Sequence, residues 1–159
     1  MMKLVLWVTA LVIAFDQVTK QFITRTMEIG ESNSIINNFL YITYHRNSGA
    51  AFGILQGQML FFYVVTAIAV VGIFVWLSKL DVKKDRLLVI ALSLILGGAL
   101  GNFIDRVMYQ AVIDFIHTVW WGYHFPIFNV ADTALVSGAI LMLLAEFKLV
   151  GKDLYFKMD

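Results

Sequence analysis

Apolar residues along this chain fall into four runs, each broken off by polar or charged positions. The first is LVLWVTALVIAFDQVTKQF (4–22), uncharged as far as Phe15. The second lies within QMLFFYVVTAIAVVGIFVWLS (58–78), where Tyr63 is the lone ionisable group. The third, LLVIALSLILGGALGNFI (87–104), meets Asp105 and Arg106 at its end, which places the span at about 87–106. The fourth is FNVADTALVSGAILMLLAEF (128–147). A helix needs ~20 residues to cross a hydrocarbon layer of ~30 Å, and each run is about that long. The pattern predicts an all-α membrane protein with four transmembrane helices, forming a single membrane domain over 1–159.

The connections differ in character. The loop of about 23–57 is too long for a plain connector. Its stretch NNFLYITYHRNSGAAFGI (37–54) is rich in aromatic and β-branched residues. FLYITYH reads as a short amphiphilic strand suited to the membrane surface, and NSG after it as a turn. A small extracytoplasmic β-containing loop is therefore expected beside the helices. Residues 79–86 form a tight charged turn. The region 107–127 holds WWGYHFP (120–126), whose Trp and Tyr suit the headgroup boundary. Pro126, the only proline, suits a helix start.

Composition agrees with the spans. The chain is 60% hydrophobic and 14% charged, with a mean hydropathy of +0.81, whereas soluble domains average about 45–50% apolar and about 25% charged. The net charge of +1 gives no hint of nucleic acid. The lack of cysteine removes disulfides, thiol nucleophiles and thiolate metal sites. With both termini cytoplasmic, Lys3, Lys79, Lys83, Lys84, Arg86, Lys148, Lys152 and Lys157 lie inside, and Lys20, Arg25, Arg46 and Arg106 outside. That bias fits the positive-inside rule. Met-Met-Lys before an apolar run resembles a secretory signal, but no small-residue cleavage site precedes Asp16 and Lys20, so the first span is expected to be retained.

The polar groups near the spans need a reason. An ionised aspartate at the bilayer centre costs ~2.5–3.5 kcal/mol, less toward the interface. Asp132 lies six residues beyond Pro126, about 9 Å along a helix rising ~1.5 Å per residue. Asn129 precedes it on the same helix side. Asp132 is either a helix-packing hydrogen bonder or a reactive carboxylate. Asp114, in AVIDF, has apolar neighbours and is placed to fold back to the same level. Two carboxyl groups brought together in a low-dielectric site share a proton, and such a pair activates water while polarising a carbonyl.

Asn102, Asp105 and Arg106 share one helix face, where Arg106 either holds a peptide carbonyl or forms an interfacial ion pair. Asp105 competes with Asp114 for a catalytic role. Asp16 and Lys20, four apart, predict an ion pair. Gly97 with Gly101, and Ala134 with Gly138, have the small-xxx-small spacing of close helix packing, although such residues are also simply frequent in membrane helices. His45, His117 and His124 lack metal-ligand spacing and no HExxH occurs, so a zinc protease is disfavoured. Membrane carboxylates also serve ion-coupled carriers and channels, although four spans are few for a carrier. A membrane assembly factor would use the same acids for binding.

FDQVTK (15–20), HRNSGAAFG (45–53), GALGNFIDR (98–106), VIDF (112–115) and FNVADT (128–133) together resemble the lipoprotein signal peptidases, or signal peptidase II, of bacteria. The resemblance implies a four-helix aspartyl protease of the bacterial cytoplasmic membrane, with its active site near the extracytoplasmic face. Such enzymes remove the signal peptide from prolipoproteins just before a diacylglyceryl-modified cysteine. It implies Asp114 and Asp132 as the catalytic pair, with Asn102 and Arg106 around the substrate and Asp105 in support. Asn47 and Gly49 match the loop lining the site, Asn129 belongs to the last motif, and Asp16 and Lys20 match the first. Lipidated prolipoprotein signal peptides and membrane lipid are the implied partners, with a monomeric enzyme and no cofactor, metal or nucleic acid.

Overall fold

A computed structural model describes residues 2–50 and 54–155, with side chains as far as 147. Ala51, Phe52 and Gly53, the side chains of Lys148 and Lys152, and Lys157 lie outside the described residues. Four long helices, α1 (Met2–Thr26), α2 (Met59–Leu77), α3 (Arg86–Tyr109) and α4 (Val130–Tyr155), are each long and apolar enough to cross a membrane. Backbone groups in hydrocarbon must satisfy one another, and a helix does this within its own segment. α3 is the central helix, with 56% of its apolar window buried against 17%, 11% and 22% for α1, α2 and α4. The other three turn large apolar side chains outward, among them Trp7, Leu60 and Phe147.

Lipid tails are as apolar as leucine, so helices associate through close packing rather than escape from water. A Cβ on Gly97 would lie 2.7 Å from Val12 Cβ, and one on Gly101 2.7 Å from Asp16 Oδ2, so this pair seats α1 on α3. Contact between α3 and α4 uses Gly98, where a Cβ would overlap the Ala131 carbonyl oxygen, and Gly138, where it would come within 2.7 Å of the Ala91 oxygen. Toward the opposite end, Val5, Leu77, Leu88, Leu92 and Leu96 form the largest apolar cluster.

The connections at one end build a four-stranded antiparallel sheet in the order β1-β2-β3-β4. β1 (Ser32–Ile36) and β2 (Leu40–Asn47) come from the first connection, and β3 (Val112–Trp120) and β4 (Tyr123–His124) from the second. The sequence predicts the β2 strand but none of the others. β3 hides its alternation because its first residues, Val112, Ile113, Asp114 and Phe115, are all buried. Ile113 and Phe115 pack with Ile23 and Tyr44 in a second apolar cluster. α3 stops abruptly: Gln110 takes a left-handed conformation (φ 55°) and gives its N–H to the Arg106 carbonyl at 3.1 Å. Two residues later β3 begins, which swings Asp114 back over the helix end and pairs it with His45 of β2.

Candidate active site

α4 begins with a reciprocal cap. Asn129 Oδ1 accepts the Asp132 N–H at 2.8 Å, while Asp132 Oδ2 accepts the Asn129 N–H at 3.2 Å. This is a capping box with asparagine and aspartate in place of the usual serine and glutamate. It satisfies two of the helix's orphan donors and locks the Asp132 side chain. A third donor, Ala131 N–H, goes to Asp16 Oδ1 of α1 at 2.9 Å. The NVAD spacing therefore has a local structural cause.

Asparagine amides surround both carboxylates. Asp132 Oδ1 accepts Asn102 Nδ2 at 2.7 Å. Asp114 Oδ1 accepts Asn129 Nδ2 at 2.7 Å, and its Oδ2 accepts Asn47 Nδ2 at 3.1 Å. Asn129 thus bridges the two acids, through its backbone N–H to Asp132 and its side chain to Asp114. Burial, followed by the neighbouring Asp132, pushes the Asp114 carboxyl up to about 7, against opposing hydrogen bonds from Asn47 and Asn129.

Both acids line a cavity of about 1050 Å³ whose wall also includes Asn47, Gly49, Asn102 and Arg106. The Arg106 guanidinium sits over the Phe62 ring at 4.2 Å and gives one N–H to the Gly49 carbonyl at 3.3 Å. Its Nε is buried without a partner. The same arginine's carbonyl accepts the Tyr63 hydroxyl at 2.9 Å, which ties α2 to the site.

Behind the cavity lies a buried charge cluster. Lys20 Nζ is 2.8 Å from Asp16 Oδ2, 2.8 Å from Asp105 Oδ2 and 3.0 Å from Asn102 Oδ1. Asp105 Oδ2 also accepts the Ile113 N–H at 3.0 Å, and Gln17 donates to Asp105 Oδ1 at 2.9 Å. Asp105 is fully buried, and its oxygens are engaged by the fold away from the cavity lining. The predicted pair Asp16–Lys20 is real but larger, a knot joining α1 to α3 and the start of β3. Gln17, inside the FDQVTK motif, was not singled out by sequence; its spacing from either aspartate carries no signal.

Asn102, Asp114, Asn129 and Asp132 come together as one hydrogen-bonded group; Asn129 stands behind the cavity wall, which the other three share with Asn47, Gly49 and Arg106. Of the histidines, His45, paired across the sheet with Asp114, and His124 also line the cavity, while His117 does not. His117 Nε2 lies 3.0 Å from His124 Nδ1, and His117 Nδ1 lies 3.1 Å from the Thr43 hydroxyl.

Four apolar helices with a carboxylate pair set in a cavity wall define a multi-pass membrane protein with an enzyme-like site. The family described as Signal peptidase (SPase) II matches residues 8–148. A lipoprotein signal peptidase of Bacillus pumilus is 56% identical over 130 residues, covering 82% of this chain and 83% of that protein. One from Listeria welshimeri is 53% identical over 140 residues, covering 88% and 90%. A bacterial membrane enzyme solved by the in meso method at 2.3 Å shares 46% identity with a TM-score of 0.85, covering 92% of this chain and 88% of its own. A second such enzyme, at 1.9 Å, gives a TM-score of 0.83 at 46% identity, covering 92% and 94%. The chain belongs to the signal peptidase II family, an aspartic-type protease family of the membrane.

Proposed function

We propose that this enzyme removes the signal peptide from diacylglyceryl-modified prolipoproteins, cutting before the lipidated cysteine with water activated by Asp114 and Asp132. The observation that carries this reading is that Asn129 bridges two acids that both line the 1050 Å³ cavity. Relatives named for lipoprotein signal peptidase activity support the substrate class.

The chemistry follows from the pair. With one proton between the two carboxyls, the ionised member takes a proton from water as its oxygen attacks the scissile carbonyl carbon. The neutral member gives its proton to the carbonyl oxygen, forming a tetrahedral diol. On collapse one carboxyl gives its proton to the departing cysteine nitrogen while a diol hydroxyl returns a proton to the other carboxylate, so the signal peptide leaves as a carboxylic acid, the lipidated chain gains an amine and the pair again holds one proton. Below neutral pH the proton resides on Asp114, the more buried acid. Arg106, with a donor left over, holds a backbone carbonyl of the bound peptide. Asn47 and Gly49 line the substrate's path.

The enzyme sits in the cytoplasmic membrane as a monomer, both termini inside, with the sheet and cavity at the extracytoplasmic face. There the acyl chains of the substrate hold its cysteine at shallow depth. In detergent, with no ion gradient, the purified protein should release the signal peptide from lipidated substrate. Asp114→Asn and Asp132→Asn should each abolish release while remaining membrane-inserted. Full activity in either variant removes that residue from the pair.

A further inference from the structure

Three asparagine amides face the acids, and each has its carbonyl oxygen held by a group able only to donate. Asn47 Oδ1 accepts the Gly49 N–H at 2.9 Å, and Asn129 Oδ1 accepts the Asp132 N–H at 2.8 Å. Asn102 Oδ1 accepts the Lys20 ammonium at 3.0 Å. An amide held by its oxygen must turn its NH2 the other way, and here every NH2 reaches a carboxylate of the pair. Two of these clamps are backbone groups built into local turns. The third is a side chain from another helix, 82 residues away in sequence.

Lys20 is 1% exposed and absent from the cavity wall, so a substrate in the cavity does not touch it. An ammonium has three protons, and Lys20 meets three acceptors, Asp16, Asp105 and Asn102. None is spare, and the head group cannot turn. Asn129 Nδ2 also approaches Asn102 Oδ1, at 3.1 Å, but it divides two protons among that oxygen, Ile113 O at 3.3 Å and Asp114 Oδ1 at 2.7 Å. The charged donor is the stronger clamp.

We propose that Lys20 is a positioning residue for the reaction: by holding Asn102 Oδ1 it presents the Asn102 NH2 to Asp132 Oδ1. This rests on the two-aspartate reading above. Without the ammonium, only the shared Asn129 Nδ2 at 3.1 Å holds Asn102 Oδ1, so the amide can turn, and its oxygen in place of its NH2 would set repulsion against a carboxylate now approached at 2.7 Å. A purely structural lysine would change how much enzyme folds and leave turnover per folded molecule alone.

Removing Lys20 alone would leave Asp16 and Asp105 without their cation. The test therefore compares the full-length Asp16→Asn, Lys20→Met double variant with the native enzyme, whose cluster has the same net charge, and with Asp16→Asn alone. All three are assayed in detergent on a diacylglyceryl-modified prolipoprotein peptide, with the folded fraction measured by thermal unfolding. The double variant is expected to show kcat at least tenfold below both, with KM within twofold. A kcat equal to that of either, or an effect confined to KM, overturns the proposal. If the double variant does not fold, Lys20→Ala is assayed with propylammonium and with tetramethylammonium. Recovery of kcat by propylammonium alone supports an N–H clamp; recovery by both or by neither overturns it. An active Asp114→Asn enzyme would overturn the aspartate pair instead, so the two failures are distinguishable.

Discussion

The burial of Asp114 makes the stability of the fold depend on pH. Asp114 is 2% exposed, and its carboxyl titrates at about 7 in the folded protein against an ordinary 3.8. At ~1.36 kcal/mol per pH unit, that difference amounts to about 4 kcal/mol. The sign follows from proton binding. Between 3.8 and about 7 the folded state holds a proton that the unfolded state has lost, so stability falls as pH rises through this window. Below it the group contributes no penalty; above it the penalty is fully present. Asp114→Asn removes the titration. Its amide also sets one NH2 against Asn47 or Asn129, a pH-independent cost of ~1 kcal/mol. Thermal unfolding of both proteins in detergent across pH 4 to 8 should show the variant slightly less stable at the acid end. It should overtake the native enzyme within about one pH unit above 3.8 and lead it by about 3 kcal/mol near neutrality. Parallel curves would refute the claim that the folded site raises this carboxyl.

Further expectations concern the supports of the pair. Asn129→Ser keeps an oxygen to cap α4 but loses the amide bridge, so it should unfold near the native temperature and lose kcat; Asn129→Ala should lose a further ~1 kcal/mol of stability. Equal stability of the two in a melting experiment would speak against the capping box. Gly98→Val forces α3 from α4 at the Ala131 carbonyl and should cost ~1–3 kcal/mol, seen as a lower melting temperature, while Gly72→Val, which meets open space, should not. In the cleavage assay, Asp114→Asn and Asp132→Asn should each lower turnover by at least ~10²–10⁴-fold, the scale of general acid–base catalysis.

The spans were legible because a membrane crossing demands length and apolarity, which any window of the chain displays. β2 was legible for its aromatic and β-branched run. β3 was not: VIDFIHTVW is apolar almost throughout, and its partner lies some seventy residues earlier, as the pairing of Tyr41 with His117 shows. Helix periodicity put Asn102, Asp105 and Arg106 on one face, yet the first and last line the cavity while Asp105 turns to Lys20. A face of a helix is wide enough to serve two neighbours, and sequence does not say which. The small-residue pair Gly97–Gly101 marked close packing but not its partner, α1. Asp114 and Asp132 were nameable through five motifs taken together, whereas spacing alone left Asp105 in contention. What no motif displays is the clamping of each asparagine, since that depends on which way an amide is turned in space.

The bond from Asp16 to the Ala131 N–H joins the first helix to the last. A ribosome delivers these segments in order, so Asp16, paired with Lys20 through one oxygen, keeps the other open until α4 is made. A nascent chain that stops short of α4 lacks Asp132 and the Asn129 amide that braces Asp114. The carboxyl pair is therefore assembled late in synthesis, once the start of the last helix has reached the first.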